Sequence, residues 1–171
     1  LMFPHHDNEI AQSEAASHVQ FSNWWMHAGM LNIDNEKMSK SLGNFFTIRD
    51  VLKRTDAEAL RAFFLQAQYR GPMSFEFSLI EEADKRLAYV YKTLHRIDTL
   101  LAGAEVSEGA VFKPELTEGI WERFAIAMDD DFNTASAMSS LSPLLGFLND
   151  LLDKPQKPRD QMLRTLKMAS A

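Results

Sequence analysis

The clearest periodicity in the chain runs through Ala83, Leu87, Val90, Leu94, Ile97 and Leu101, at alternating spacings of four and three. That period places one apolar stripe along a long helix. Ser78 and Glu81 stand three apart just ahead of it and read as a capping box. The same reasoning predicts a helix over 57–68, capped by Asp56, with Leu60, Phe63, Phe64 and Ala67 inward. Gly71-Pro72 ends that pattern. Further helices are expected from Pro114 or Glu115, with Leu116, Ile120, Phe124 and Ala127 inward, and after Thr134, with Met138, Leu141, Leu145, Leu148 and Leu152 inward. Pro143 must kink the latter or lie in its first turns. Residues 154–158 read as a linker and 159–169 as a last helix.

The first quarter patterns differently. Pro4 suits a first helical turn, and His5 to Ser17 reads as helical, with Ile10, Ala11 and Ala15 near one side. The apolar run Trp25–Ile33 predicts a buried strand, with Trp24 and Trp25 in the core. Thr47 and Asp50 form an approximate capping box for a short helix. The sum is a mainly α chain. The short connections between the later helices fit an antiparallel helical bundle.

Composition narrows the class. Hydrophobic residues make up 46%, too many for a disordered chain. No apolar run approaches the ~18 residues of a membrane span, and no signal peptide is recognisable, so a cytoplasmic protein with no membrane partner is expected. The net charge of −6 argues against general nucleic-acid binding. An RNA partner would need local patches such as Lys53-Arg54, Arg70 and Lys85-Arg86. Cysteine is missing from the chain, which excludes disulfides and thiolate metal ligands within it.

The candidate chemistry begins at Lys37-Met38-Ser39-Lys40-Ser41, followed by Leu42-Gly43-Asn44. Two ammonium groups on a small-residue loop can stabilise charge building on a triphosphate. A solvated lysine loop is the plain alternative for the two lysines alone. Ahead of it stand Phe3-Pro4-His5-His6-Asp7-Asn8-Glu9-Ile10-Ala11-Gln12-Ser13-Glu14 and Trp25-Met26-His27-Ala28-Gly29-Met30. Asn44 to Leu52 follow, and Met128-Asp129-Asp130-Asp131-Phe132-Asn133-Thr134 comes much later. Three carboxylates in a row point in different directions on a helix, so the Asp run reads as a solvated helix end, with Asp131 or Thr134 capping the next helix. His5 and Glu9, four apart, share a helix face. They could be two zinc ligands or a surface pair, and His6 competes with His5.

Together these runs resemble the cysteinyl-tRNA synthetases, a family of class I aminoacyl-tRNA synthetases. The resemblance covers nearly the whole chain, most strongly the first 70 residues. It implies ligation of cysteine to its tRNA through an ATP-derived cysteinyl adenylate, with tRNA, cysteine and ATP as partners, magnesium accompanying ATP, and a monomeric parent enzyme. Lys37 and Lys40 are then catalytic. Lys40, Met38, Ser39 and Ser41 contact ATP, and His27 is a candidate for the adenylate pocket. His5 and Glu9 become half of a zinc site whose two cysteines this chain does not carry. The family's His-x-Gly-His signature is not found either, so the chain reads as the C-terminal portion of a longer enzyme and is expected to be inactive alone. By this resemblance residues 1–46 would be the C-terminal edge of a Rossmann-like α/β catalytic domain, 47–76 a helical connector and 77–171 the antiparallel helical bundle. Two rivals remain: the cysteine-activating ligase of mycothiol synthesis, and a non-catalytic helical module binding tRNA or protein.

Overall fold

A computed structural model describes residues 2–33, 36–38, 45–106, 108–109, 111–112, 115, 119–154 and 159–170. A π-helical turn, Met2–His6, leads into α1 (Asp7–Ser17). Pro4 follows a cis peptide bond within that turn, and the regular helix starts two residues later than the pattern predicts. Ile10 is half-buried, Ala11 and Ala15 are exposed, and α1 buries no residue fully. The chain turns back after His18 (φ 58°), where Phe21 N–H donates to Glu14 Oε1 at 3.1 Å.

The expected strand from Trp25 forms only at its end. β1 (Leu31–Ile33) pairs antiparallel with β2 (Glu36–Lys37) and parallel with β3 (Met73–Ser74), giving the order β2-β1-β3. Residues 24–30 join no ladder, and Trp24 is 87% exposed rather than in the core. Trp25 is exposed too and stacks on His6, with centroids 4.0 Å apart. Large aromatic area predicts burial only where a second layer covers it, and here the partner is a half-buried imidazole.

The short helix α2 (Ile48–Val51) is capped as expected: Thr47 Oγ1 accepts from Asp50 N–H. The reciprocal arm differs, since the Thr47 hydroxyl donates to the Asp50 carboxylate at 2.5 Å. Asp56 caps α3 (Ala57–Leu65) by accepting from Glu58 N–H at 2.8 Å. Leu60 and Phe63 are buried, whereas Phe64 is exposed. With Ile33, Val51, Phe75, Ile80 and Ala83 they form the first core. Phe75 stands edge-on to both Phe63 and Phe77, and the Arg54 guanidinium lies 3.7 Å over the Phe77 ring.

The long helix α4 (Phe77–Leu101) carries the expected stripe. Ala83 and Ile97 are buried, and Leu87, Val90, Leu94 and Leu101 are half-buried. Its start corrects the expected Ser78–Glu81 box. Glu76 occupies the cap position, and Ser78 Oγ donates to the Glu76 carboxylate instead. Beyond it come α5 (Ile120–Asp129), α6 (Thr134–Ser140), α7 (Ser142–Asp153) and α8 (Arg159–Ser170). Leu116 lies outside the described residues. The stretch 134–152 is two helices, because Pro143 starts a new one in its first turn, where its missing N–H costs nothing. Ile97, Ile120, Leu144, Leu148, Leu163 and Leu166 form a second core. Between α4 and α7, Asn149 Nδ2 reaches Thr93 Oγ1 at 2.7 Å, and Arg96 donates to Asn149 Oδ1 and Asp153. The buried Thr93 is thereby satisfied, which fixes one register between the helices.

Candidate site at the lysine strand

Of the two lysine positions, Lys37 falls within the described residues. Lys37 lies in β2, opposite Asn32 of β1. Met38 follows it out of the strand, and its N–H donates to Leu31 O at 3.1 Å. The Met38 side chain is half-buried against the first core and borders a small apolar hollow of about 130 Å³, beside Leu31, Phe46, Ile48 and Phe75. The lysine run is therefore tethered at its entry by one backbone bond and one apolar side chain. Ser39, Lys40 and Ser41, expected to meet ATP, lie outside the described residues, as do Leu42 to Asn44.

The lead-in to β1 is held from the other side. Gly29 N–H donates to Tyr69 O at 2.7 Å, and Met73 N–H donates to Met30 O at 2.9 Å. The approach at Gly29 is so close that a Cβ there would stand 1.9 Å from the Gly71 carbonyl oxygen. Only glycine lets the two backbones meet in this way.

The turn 68–71 is in turn tied to the Asp run. Asp131 accepts from Arg70 Nε at 2.5 Å, from Arg70 Nη2 at 2.9 Å and from Tyr69 Oη at 2.9 Å. Gln68 Nε2 donates to the Asp131 carbonyl at 3.0 Å. The fork-to-fork pairing holds the Asp131 carboxyl below its ordinary range, through the Arg70 hydrogen bonds first. Partial desolvation, and then the Asp131 hydrogen bond, raises the Tyr69 phenol. Asp131 and Phe132 both take left-handed backbone conformations (φ 52° and 55°), uncommon for such residues; these bonds anchor Asp131, and Phe132 N–H donates to Met128 O at 3.0 Å. Capping belongs to Asn133, whose Oδ1 accepts from Ser136 N–H at 3.0 Å, which corrects the assignment to Asp131 or Thr134. A continuous chain of contacts thus runs from the α5–α6 turn, through 68–71, to the strand that delivers the lysines.

The candidate metal ligands do not make a centre by themselves. His5 and Glu9 are exposed, and among the described residues no group of three or more His, Cys, Asp or Glu side chains could hold a metal ion. Two donors do not satisfy a four-coordinate zinc, so the residues present do not fit a complete zinc site. His6, their competitor, is half-buried and engaged by Trp25 and by His27, at 4.0 and 4.8 Å between centroids. No described helix is long and apolar enough to cross a membrane.

Comparison with known proteins agrees with this geometry. Residues 1–85 match the family model of the class I (C) tRNA synthetase catalytic domain, and residues 123–170 match that of the DALR domain. The chain therefore carries the end of a class I tRNA synthetase catalytic unit and a DALR helical domain. Cysteine–tRNA ligase of Geotalea daltonii is 46% identical over 175 residues, spanning 95% of this chain and 35% of that one. The Geobacter metallireducens ligase is 50% identical over 162 residues (89% and 30%), and that of Thermococcus gammatolerans 42% over 168 residues (96% and 35%). The chain belongs to the cysteine–tRNA ligase family, and spans about a third of the length of these curated relatives. Among solved structures, the LeuRS–tRNA–LeuAMS ternary complex from Agrobacterium radiobacter K84 superposes with a TM-score of 0.65. It shares 20% identity and covers 92% of this chain and 22% of its own, a likeness of fold alone.

Proposed function

We propose that this chain is part of a cytoplasmic enzyme that joins cysteine to its tRNA by way of cysteinyl adenylate. The observation that carries the reading is the lysine run itself. It issues from β2, tethered by Met38, within a segment matched to a class I synthetase catalytic domain. In this reading Lys37 and Lys40 neutralise the ATP phosphates as pyrophosphate leaves, with magnesium accompanying the nucleotide. Met38, Ser39 and Ser41 line the nucleotide. Fixed ammonium groups lower that barrier because they are already oriented when charge develops. Residues 1–46 close the catalytic domain, 47–76 connect it and 77–171 form the bundle. The DALR match favours a tRNA partner over the mycothiol-type ligase.

His5 and Glu9 would supply one imidazole nitrogen and one carboxylate oxygen to zinc, the remaining donors coming from elsewhere in the enzyme. A zinc ion binds a thiolate in preference to a hydroxyl and so supports cysteine over serine. The discriminating experiment places residues 1–171 in the matching segment of the Geobacter metallireducens ligase and follows cysteine-dependent pyrophosphate exchange. Lys40→Ala is expected to lower the maximal rate on the order of 100-fold, equivalent to losing one charged donor, with the KM for cysteine unchanged. An unchanged maximal rate would remove Lys40 from its role.

A further inference from the structure

Helices α3, α4, α6 and α7 meet around an open hollow of about 430 Å³. The space exists because facing positions are small: Ala62 on α3, Ala83 on α4, and Ala135 and Ser139 on α6. Leu87, Val90, Leu141 and Leu145 supply apolar walls. Two cations stand among its lining residues, Lys85 and Arg86. Arg86 Nη1 donates to Gln66 Oε1 at 3.0 Å, which braces the guanidinium. Glu82, one turn earlier on α4 and outside the lining, pairs loosely with Arg86 at 4.0 Å from Nη2. Among the described residues no Asp or Glu lines the hollow, although the whole chain carries a net charge of −6.

We propose that this hollow is a binding site for a small organic anion with an apolar body, such as a medium-chain carboxylate. Its volume falls in the range that takes small molecules, and predominantly apolar walls with a few fixed polar groups are the usual form of such sites. Water filling it gains little from the leucine and valine walls, so an aliphatic body displaces it favourably. A single anionic head then meets Lys85 and Arg86, and competes with the exposed, loosely placed Glu82 for the guanidinium. Neither triphosphate nor polynucleotide has this combination of one charge and a large apolar body. The site therefore goes beyond cysteine ligation.

Decanoate is the probe and decanamide its uncharged control, each titrated into the full chain and followed by backbone amide NMR. One saturable decanoate site with a Kd below about 1 mM is expected, with shifts concentrated at Ala62, Ala83, Ala135 and Ser139. The doubly substituted Lys85→Gln, Arg86→Gln chain changes only exposed side chains. It should bind decanoate about tenfold more weakly, the size of a lost hydrogen bond to a charged group, while decanamide is unaffected. Ser139→Phe, or Ala135→Leu if the first variant loses helicity, should abolish both. Equal affinity for decanoate and decanamide would overturn the proposal, as would shifts scattered over the surface or binding that survives the filling substitution. So would a hollow that answers to oligouridylate and not to decanoate.

Discussion

Replacing Gly29 with alanine perturbs a close backbone approach at the lead-in to β1. The added Cβ would lie 1.9 Å from Gly71 O, 2.4 Å from Gly71 C and 2.8 Å from Arg70 O. Ordinary contact starts near 3.4 Å, so the two segments must part by roughly 1.5 Å. No side-chain rotation relieves this, because the obstacles are backbone atoms. Separation breaks the 2.7 Å bond from Gly29 N–H to Tyr69 O, worth about 1 kcal/mol net. Overpacking adds about 1–3 kcal/mol. The expected loss is therefore about 2–4 kcal/mol in urea unfolding, with faster hydrogen exchange at the Met73 and Phe75 amides, which bond Met30 O and Asn32 O. Gly71→Ala, in the facing turn, is the control. Its Cβ would meet only Gln68 O, at 3.4 Å, and it should cost under about 1 kcal/mol. Equal costs for the two variants, or a Gly29→Ala chain within about 0.5 kcal/mol of the parent, would refute the close-approach argument.

Leu148→Ala removes a fully buried side chain between α7 and the second core and should cost about 2–5 kcal/mol by urea unfolding; a loss under about 1 kcal/mol would mean that the bundle is not packed there. Asp50 is held at about 2, first by the Lys53 hydrogen bond and then by Thr47. Its contribution is thus complete above the ordinary value of 3.8 and lost as pH falls through about 2. In an NMR titration, Lys53→Met should move the Asp50 midpoint up towards 3.8, and no movement would dismiss the pair as its cause. The chain dialysed without chelator should retain well under one zinc per molecule, since His5 and Glu9 are two donors of four. Stoichiometric zinc by elemental analysis would show that other residues complete the site.

Much of the helical architecture was legible because its signals are local. The 83/87/90/94/97/101 stripe and the Asp56 cap each act within a few residues. The misreadings share a different origin. Trp24 and Trp25 read as core because aromatic runs usually are, yet among the described residues no strand pairs with 24–29. Asp131 read as a cap because its partner, Arg70, is 61 residues away. The Gly29–Gly71 contact and the hollow among four helices likewise exist only after distant segments meet. Of the candidate site, residue types and order were readable from the lysine run, whereas the tethering of Met38 was not.

The most direct test of the account is charging itself. Residues 1–171 replace the matching segment of the Geobacter metallireducens ligase, and the hybrid is assayed for attachment of radiolabelled cysteine to a tRNA-Cys transcript. The account predicts a hybrid that charges this tRNA with cysteine and rejects serine. A hybrid that folds with the helicity and melting temperature of its parent yet transfers no cysteine would contradict it.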